Sequence, residues 1–186
     1  MNVKLLNCRN NAKYAITQAI GNKTIFSMAY KRRKYMIKVV EGNLLDATED
    51  IIGHQVNCKG VMGSGVAKQL RDKYGGLFRE YKAYLNTYGY GKYALGKCLF
   101  VSVVDGKIIA NLFGQLDYGY NGQFTSYTAI KESLGLLKSF AVDHKYSVAL
   151  PYKIGSDRGG ADWNEVYGII DKVFEDYEVT LYKYNG

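Results

Sequence analysis

The chain has 186 residues, 47% of them hydrophobic, enough for one domain with a proper core and too many for a fibrous or wholly disordered chain. Its formal charge of +8 ordinarily marks a binder of nucleic acid or anionic surfaces, but the distribution alters that reading. Residues 1–35 carry 8 of the 25 basic residues and no Asp or Glu, so 17 basic residues remain to balance the 17 acidic ones. The body is therefore not a basic nucleic-acid binder.

Cys8, Cys58 and Cys98 form no CxxC pair, and His54 and His144 are the only histidines. Neither a disulfide framework nor a metal site is expected, and a reducing cytoplasm is the simpler setting. No apolar run reaches the ~18–20 residues of a membrane span, so a soluble protein without a membrane partner is expected.

In chain order, residues 1–35 read as a basic N-terminal extension ending in Lys31, Arg32, Arg33 and Lys34, with a transit peptide or a nucleic-acid-binding arm as alternatives. A domain over 36–186 begins at Met36. Residues 37–40 and 51–57 are short β-rich runs. A glycine-punctuated loop then leads into a helical stretch over 66–86, divided at Gly75 and Gly76. Residues 97–104 and 107–113 flank Asp105-Gly106, a dipeptide suited to a tight hairpin. A helix over 126–140 places Ile130, Leu134, Leu137 and Phe140 on one stripe. Residues 147–150 form a buried-type strand, followed by a glycine-rich loop over 151–161. A helix over 162–176 starts with Asp162 and Glu165 in a capping-box pattern, and a last strand covers 179–184. Alternating strands and helices with one hairpin predict an α/β fold, a mixed central sheet sandwiched between helices.

Two glycine-rich loops carry the chemistry: KGVMGSGV at 59–66 and IGSDRGGA at 154–161. Each follows a hydrophobic strand and leads into a helix, and in an α/β sheet such loops lie outside the carboxyl ends of strands. Glycine lets backbone N–H groups approach a phosphate, and a helix N-terminus adds partial positive charge. The first loop lacks both GxGxxG and GK[ST], so alone it reads equally well as a plain turn. The pair could grip the two halves of a diphosphate.

The chain resembles the macro domains across about 150 residues. The resemblance lies in VVEGNLLD (39–46), HQVNCKGVMGSGVAKQL (54–70), NLFGQ (111–115) and PYKIGSDRGGADW (151–163). It implies a three-layer α/β/α fold that binds ADP-ribose with no cofactor. Asn43 and Leu44 stand where the family contacts adenine, usually through an Asp, so Asn43 is a departure. Asn57, Gly63, Ser64, Gly65 and Val66 would lie along the distal ribose and diphosphate. Ile154, Gly155, Ser156, Arg158 and Gly159 would cover the diphosphate from the other side, with Gln115 closing a strand end near the same cleft.

HQVNCKG over 54–60 matches the HxxNCxG of small ADP-ribose-1''-phosphate phosphatases, which implies hydrolysis of that ester with His54 activating water. An imidazole is neutral near pH 7 and suits that task; the alternative is a strand histidine satisfied by packing. Asp157 would partner it, with Arg158 neutralising the carboxylate or contacting phosphate. The related subgroup that removes ADP-ribose through a Lys and an Asp has no match here, since Phe113-Gly114 and Gly159 stand at those positions. Two other functions remain open: a non-catalytic reader of ADP-ribose, and a hydrolase that removes it from modified macromolecules. Nucleic acid would be met only through residues 1–35. Tyr118, Tyr120, Tyr182 and Tyr184 offer rings for adenine, while Trp163 reads as a core anchor.

Overall fold

A strand buried on both faces needs a layer on each side of its sheet. β2 (Ile51–Asn57) has that character, with all but one of its residues buried. The computed structural model describes residues 36–184, so the basic extension and its alternative readings lie outside the described residues. Six strands form one sheet in the order β1-β6-β5-β2-β4-β3. The others are β1 (Ile37–Glu41), β3 (Cys98–Ser102), β4 (Ile108–Gln115), β5 (Val148–Pro151) and β6 (Val179–Lys183). β1, β6, β5, β2 and β4 run parallel, and β3 pairs with β4 antiparallel.

The helices are α1 (Gly65–Lys73), α2 (Leu77–Tyr88), α3 (Tyr127–His144) and α4 (Trp163–Val173). Alternation along β2 sorts them into two layers. Ile51 packs with Ile130, Leu134 and Leu137 of α3 and with Val166 and Ile170 of α4. Ile52 faces the other way, toward Leu70 of α1, Tyr74 and Leu77 of α2. Val56 shares that second face with Tyr81 and Leu85. The expected three-layer α/β/α sandwich is what forms.

Local chemistry sets the boundaries. The long helical stretch breaks between Lys73 and Leu77, at the two glycines. In the hairpin Gly106 takes φ +83°, and its N–H donates to the Val103 carbonyl at 3.1 Å. Ser126 caps α3 by accepting from Ala129 N–H. Asp162 caps α4 by accepting from Asn164 N–H at 2.8 Å, as expected, but the reciprocal Glu165 half of the capping box does not form, because Asp162 N–H donates to the Tyr127 hydroxyl at 3.0 Å instead. α3 runs to His144, past the expected 140, because buried Ala141 extends its apolar stripe and Lys145 ends it in the left-handed region. Among the described residues no helix is long and apolar enough to cross a membrane.

Gly53 sets how closely α3 approaches the sheet. A Cβ there would stand 2.5 Å from Leu150 Cδ2 and 3.2 Å from Leu137 Cδ2. Gly53→Val is expected to overpack this face at a cost of about 1–3 kcal/mol. A thermal melt should show Tm lower by roughly 2–4 °C for each kcal/mol; an unchanged Tm would show that the contact is not tight.

Candidate functional site

Five parallel strands deliver their carboxyl ends to one edge of the sheet. β2 and β5 are direct neighbours, with Ile51 opposite Val148 and Ile52 opposite Ala149. The loops that follow them, the two glycine-rich segments, therefore rise side by side. One leads into α1 on one face of the sheet and the other toward α4 on the opposite face, so a ligand at this edge meets backbone from both sides.

Asn57, the last residue of β2, folds the first loop. Its Oδ1 accepts from Lys59 N–H (2.9 Å) and Val61 N–H (3.2 Å), while its Nδ2 donates to the Val61 carbonyl (2.6 Å). Tyr81 fastens the same turn from α2, its hydroxyl donating to the Asn57 carbonyl at 2.6 Å and accepting from Gly60 N–H at 3.1 Å. Gly63, Ser64 and Gly65 are left exposed beyond this anchored turn. Ser64 is extended, makes no side-chain cap, and no acidic residue occupies the first turn of α1. The first helical N–H groups, including those of Gly65 and Val66, accordingly lack intrahelical acceptors. They form an anion-favouring terminus. Gly65 sits at φ +56° with nothing near where a Cβ would be.

The second loop turns on itself. Ser156 N–H donates to the Lys153 carbonyl, Gly160 N–H to Asp157 and Ala161 N–H to Gly155, leaving Gly155, Asp157, Arg158 and Gly159 N–H without a backbone acceptor among the described residues. Its base rests on a polar network absent from the sequence expectations. Gln55 Nε2 donates to Gln115 Oε1 (2.6 Å) and Thr125 Oγ1 (2.8 Å), and Thr125 Oγ1 donates to the Gly155 carbonyl (2.8 Å). Phe124 and Thr125 N–H both donate to the Gly159 carbonyl. Gly159 can only be glycine here, since a Cβ would collide with Thr125 Oγ1 and the Gly155 carbonyl. Gln115 gives its remaining donor to the Asp117 carbonyl at 2.8 Å, so it braces the loops. Ile154 is buried beneath the loop, and Ser156 Oγ is buried without a partner among the described residues. Gln55 offered one signal, an amide side chain two residues before the end of the strand that leads into the first loop.

His54 and Asp157 are not brought together. The His54 ring is fully buried on the α1–α2 face, its Nε2 2.9 Å from Asn111 Oδ1 on β4. Asn111 Nδ2 donates to the Leu99 carbonyl at 3.2 Å, which orients Oδ1 toward the ring and makes Nε2 the protonated nitrogen. Burial lowers its pKa from 6.5 to about 4, against a smaller raising effect of the Asn111 bond. The sequence expectation of a water-activating His54 thus meets a ring with no solvent contact; its position is that of a brace between β2 and β4. Asp157 and Arg158 are exposed on the second loop. Cys58 is buried, and burial pushes its thiol up to about 11, so it is not a thiolate near pH 7. Among the described residues no group of His, Cys, Asp and Glu could hold a metal.

At the β1 end, Asn43 Oδ1 accepts from Leu45 N–H at 3.0 Å and caps a short 3-10 turn, Leu44–Asp46, in which Leu44 is buried. The Tyr182 ring lies 3.6 Å from where a Gly42 Cβ would be, and its hydroxyl donates to Glu49 Oε2. Tyr182 therefore stands beside the segment 42–44. Tyr118 and Tyr120 follow β4, on the other side of β5 and β2. Trp163 packs against the core and against Tyr152, at 4.9 Å between ring centres.

A profile of the macro domain family matches residues 54–170. The chain belongs to the macro domain family. Its sequence is 29% identical over 160 residues to a DNA ADP-ribosyl glycohydrolase of Mycobacterium tuberculosis, covering 81% of this chain; the chain spans 43% of that relative's length. It is 25% identical over 178 residues to an ADP-ribose 1''-phosphate phosphatase of Saccharomyces cerevisiae, covering 79% of this chain and 98% of that protein. Among solved structures, the macrodomain of Mycobacterium tuberculosis DarG superposes with a TM-score of 0.68 at 28% identity, covering 80% of this chain and 97% of that one.

The buried imidazole makes stability depend on pH. The folded protein keeps His54 neutral down to about pH 4, whereas the unfolded chain takes up its proton below about 6.5. Its contribution is therefore full above pH 6.5 and is lost as pH falls toward 4. Urea unfolding of wild type and His54→Gln should show their stability difference shrinking by about 3 kcal/mol between pH 7 and pH 4. A difference independent of pH would mean that the ring is accessible to protons in the fold.

Proposed function

We propose that this protein binds ADP-ribose along the carboxyl edge of its sheet and hydrolyses the bond between the distal ribose and its substituent. What supports binding above all is the adjacency of β2 and β5, which aims the uncapped start of α1 and the free amides of the second loop at one diphosphate. Gly63, Ser64, Gly65 and Val66 hold it from one side; Ile154, Gly155, Ser156, Arg158 and Gly159 hold it from the other. Asn43 and Leu44 border adenine, and Asn57 and Gln115 shape the distal-ribose end. Backbone amides stabilise the charge that develops on reaction without reorganising. In the net reaction water adds across the bond, the ribose keeps the hydroxyl and the substituent leaves with the proton. Asp157, exposed beside Arg158, is the carboxylate available to take a proton from water. His54 acts at a distance, by fixing β2 to β4.

Two substituents are supported by different observations. Phosphate is favoured by HQVNCKG and by the likeness to the yeast ADP-ribose 1''-phosphate phosphatase. A macromolecule is favoured by the open groove beside Asp157 and Arg158, by the burial of His54, and by the likeness to the mycobacterial glycohydrolase. The geometry favours the macromolecule.

Calorimetry with ADP-ribose should give micromolar binding, and Gly65→Glu should weaken it about 100-fold by setting a carboxylate against the diphosphate. A Cβ at Gly65 meets nothing, but φ +56° strains any side chain there, so Tm should fall by roughly 2–8 °C, for a strain of about 1–2 kcal/mol, with the protein still folded for the titration; unaltered affinity would remove the helix start from the site. Parallel incubations with ADP-ribose-1''-phosphate and with ADP-ribosylated DNA and protein should release free ADP-ribose from a modified macromolecule. Phosphate release alone would reinstate the first substituent, and no release with binding retained would make the protein a reader.

A further inference from the structure

Two carbonyls decide what the second loop shows to an anion. A carbonyl oxygen turned toward a diphosphate repels it, whereas one drawn inward leaves neighbouring N–H groups as the exposed partial charge. The Gly155 and Gly159 carbonyls are both drawn inward, and buried Thr125 holds the pair. Its hydroxyl donates to the Gly155 carbonyl at 2.8 Å, and its N–H donates to the Gly159 carbonyl at 3.0 Å. Ala161 N–H meets the Gly155 carbonyl as well, at 3.1 Å.

A threonine hydroxyl rotates freely and has one hydrogen to give. What fixes its direction is a chain of side chains with a backbone carbonyl at each end. At the far end Gln115 Nε2 donates to the Asp117 carbonyl at 2.8 Å, so Gln115 Oε1 faces Gln55 as an acceptor. At the near end Thr125 Oγ1, its hydrogen given to Gly155, faces Gln55 as a second acceptor. Carbonyls only accept, so the middle member must supply two hydrogens. Gln55 Nε2 does so, at 2.6 Å to Gln115 Oε1 and 2.8 Å to Thr125 Oγ1. The other half of its amide bears the consequence, since Gln55 Oε1 is buried without a partner among the described residues. A carboxylate at this position has no hydrogen to give, and would draw the Thr125 hydrogen to itself and release the Gly155 carbonyl.

We infer that Gln55 and Thr125 are positioning residues for the anion: the two amide hydrogens of Gln55 fix the direction of the Thr125 hydroxyl, which holds the Gly155 carbonyl away from the ligand face. The inference rests on the ADP-ribose reading for its ligand and on the hydrogen-bond chain alone for its direction. The groups that adjoin the Gln55 carboxamide are uncharged: Gly114 and Gln115 on β4, Thr125 ahead of α3, and Gly155 and Gly159 on the second loop. Lys153, Asp157 and Arg158 on that loop and Asp117 beyond β4 are the charged residues of the adjoining segments.

Gln55→Glu turns the polarity of the chain into a titration. With the carboxylate ionised at pH 8, the full chain is expected to bind ADP-ribose about tenfold more weakly than wild type in calorimetry, the worth of one such hydrogen bond. Protonation restores a hydrogen, and desolvation raises the pKa of the new carboxyl, so the deficit against wild type should shrink as pH falls toward about 5. Thr125→Val, which keeps the shape and loses the hydroxyl, should bind about tenfold more weakly at both pH values, and Thr125→Ser should bind as wild type does. A merely structural loss lowers Tm without this pH profile of affinity. Wild-type affinity in Gln55→Glu at pH 8, a deficit that does not change with pH, or full binding by Thr125→Val would overturn the inference. If Gln55→Glu does not fold, the two threonine variants decide alone. If wild type binds no ADP-ribose, the proposed function fails, and the chain is judged by amide exchange at Ala161, whose N–H bonds the Gly155 carbonyl. Faster exchange in Gln55→Glu than in wild type at pH 8, but not at pH 5, upholds the chain; equal exchange at both refutes it.

Discussion

The parallel pairing of β2 with β5 is the constraint on which the site depends. Parallel neighbours end at the same edge, so two segments far apart in sequence must emerge together there. Reversing either strand would send one glycine-rich loop to the opposite end of the molecule. The pairing is secured by burial on both faces, with Ile51 held by α3 and α4 and Ile52 by α1 and α2. The site is thus a consequence of the core.

Each loop is held by polar contacts beneath it. Asn57 and Tyr81 tie the first loop, and Gln55, Gln115 and Thr125 tie the second. Side chains that satisfy one another under the loops leave main-chain amides outward, the surface proposed above for binding. Such amides cost little to organise at the moment of binding, because the fold has already ordered them. His54 belongs to this supporting frame, sharing Asn111 with the Leu99 carbonyl across three strands.

How much was legible beforehand varies with the kind of signal. The break at Gly75 and Gly76, the Asp105-Gly106 turn and the Asp162 cap are local, and each falls where backbone chemistry requires. The length of α3 was underestimated, because Ala141 earns its place by packing against the sheet, a tertiary matter. His54 shows the sharper limit: a motif fixes which residue stands at a position, but not whether its ring faces a cleft or a core. Gln55 and Thr125, 70 residues apart, gave no joint signal until the loops met. The four tyrosines named as adenine partners were equivalent in sequence and lie at different ends of the strand order.

By itself the sequence determined the class of fold and the two backbone-rich loops, because periodicity, capping and glycine act over a few residues. It also determined that the body from residue 36 is electrically balanced. Only the tertiary structure decided that the loops share an edge, that His54 is enclosed, and that Tyr120 borders a groove beside Arg158. Those outcomes depend on which strands pair and which face each residue takes, and both are settled by burying the whole core at once.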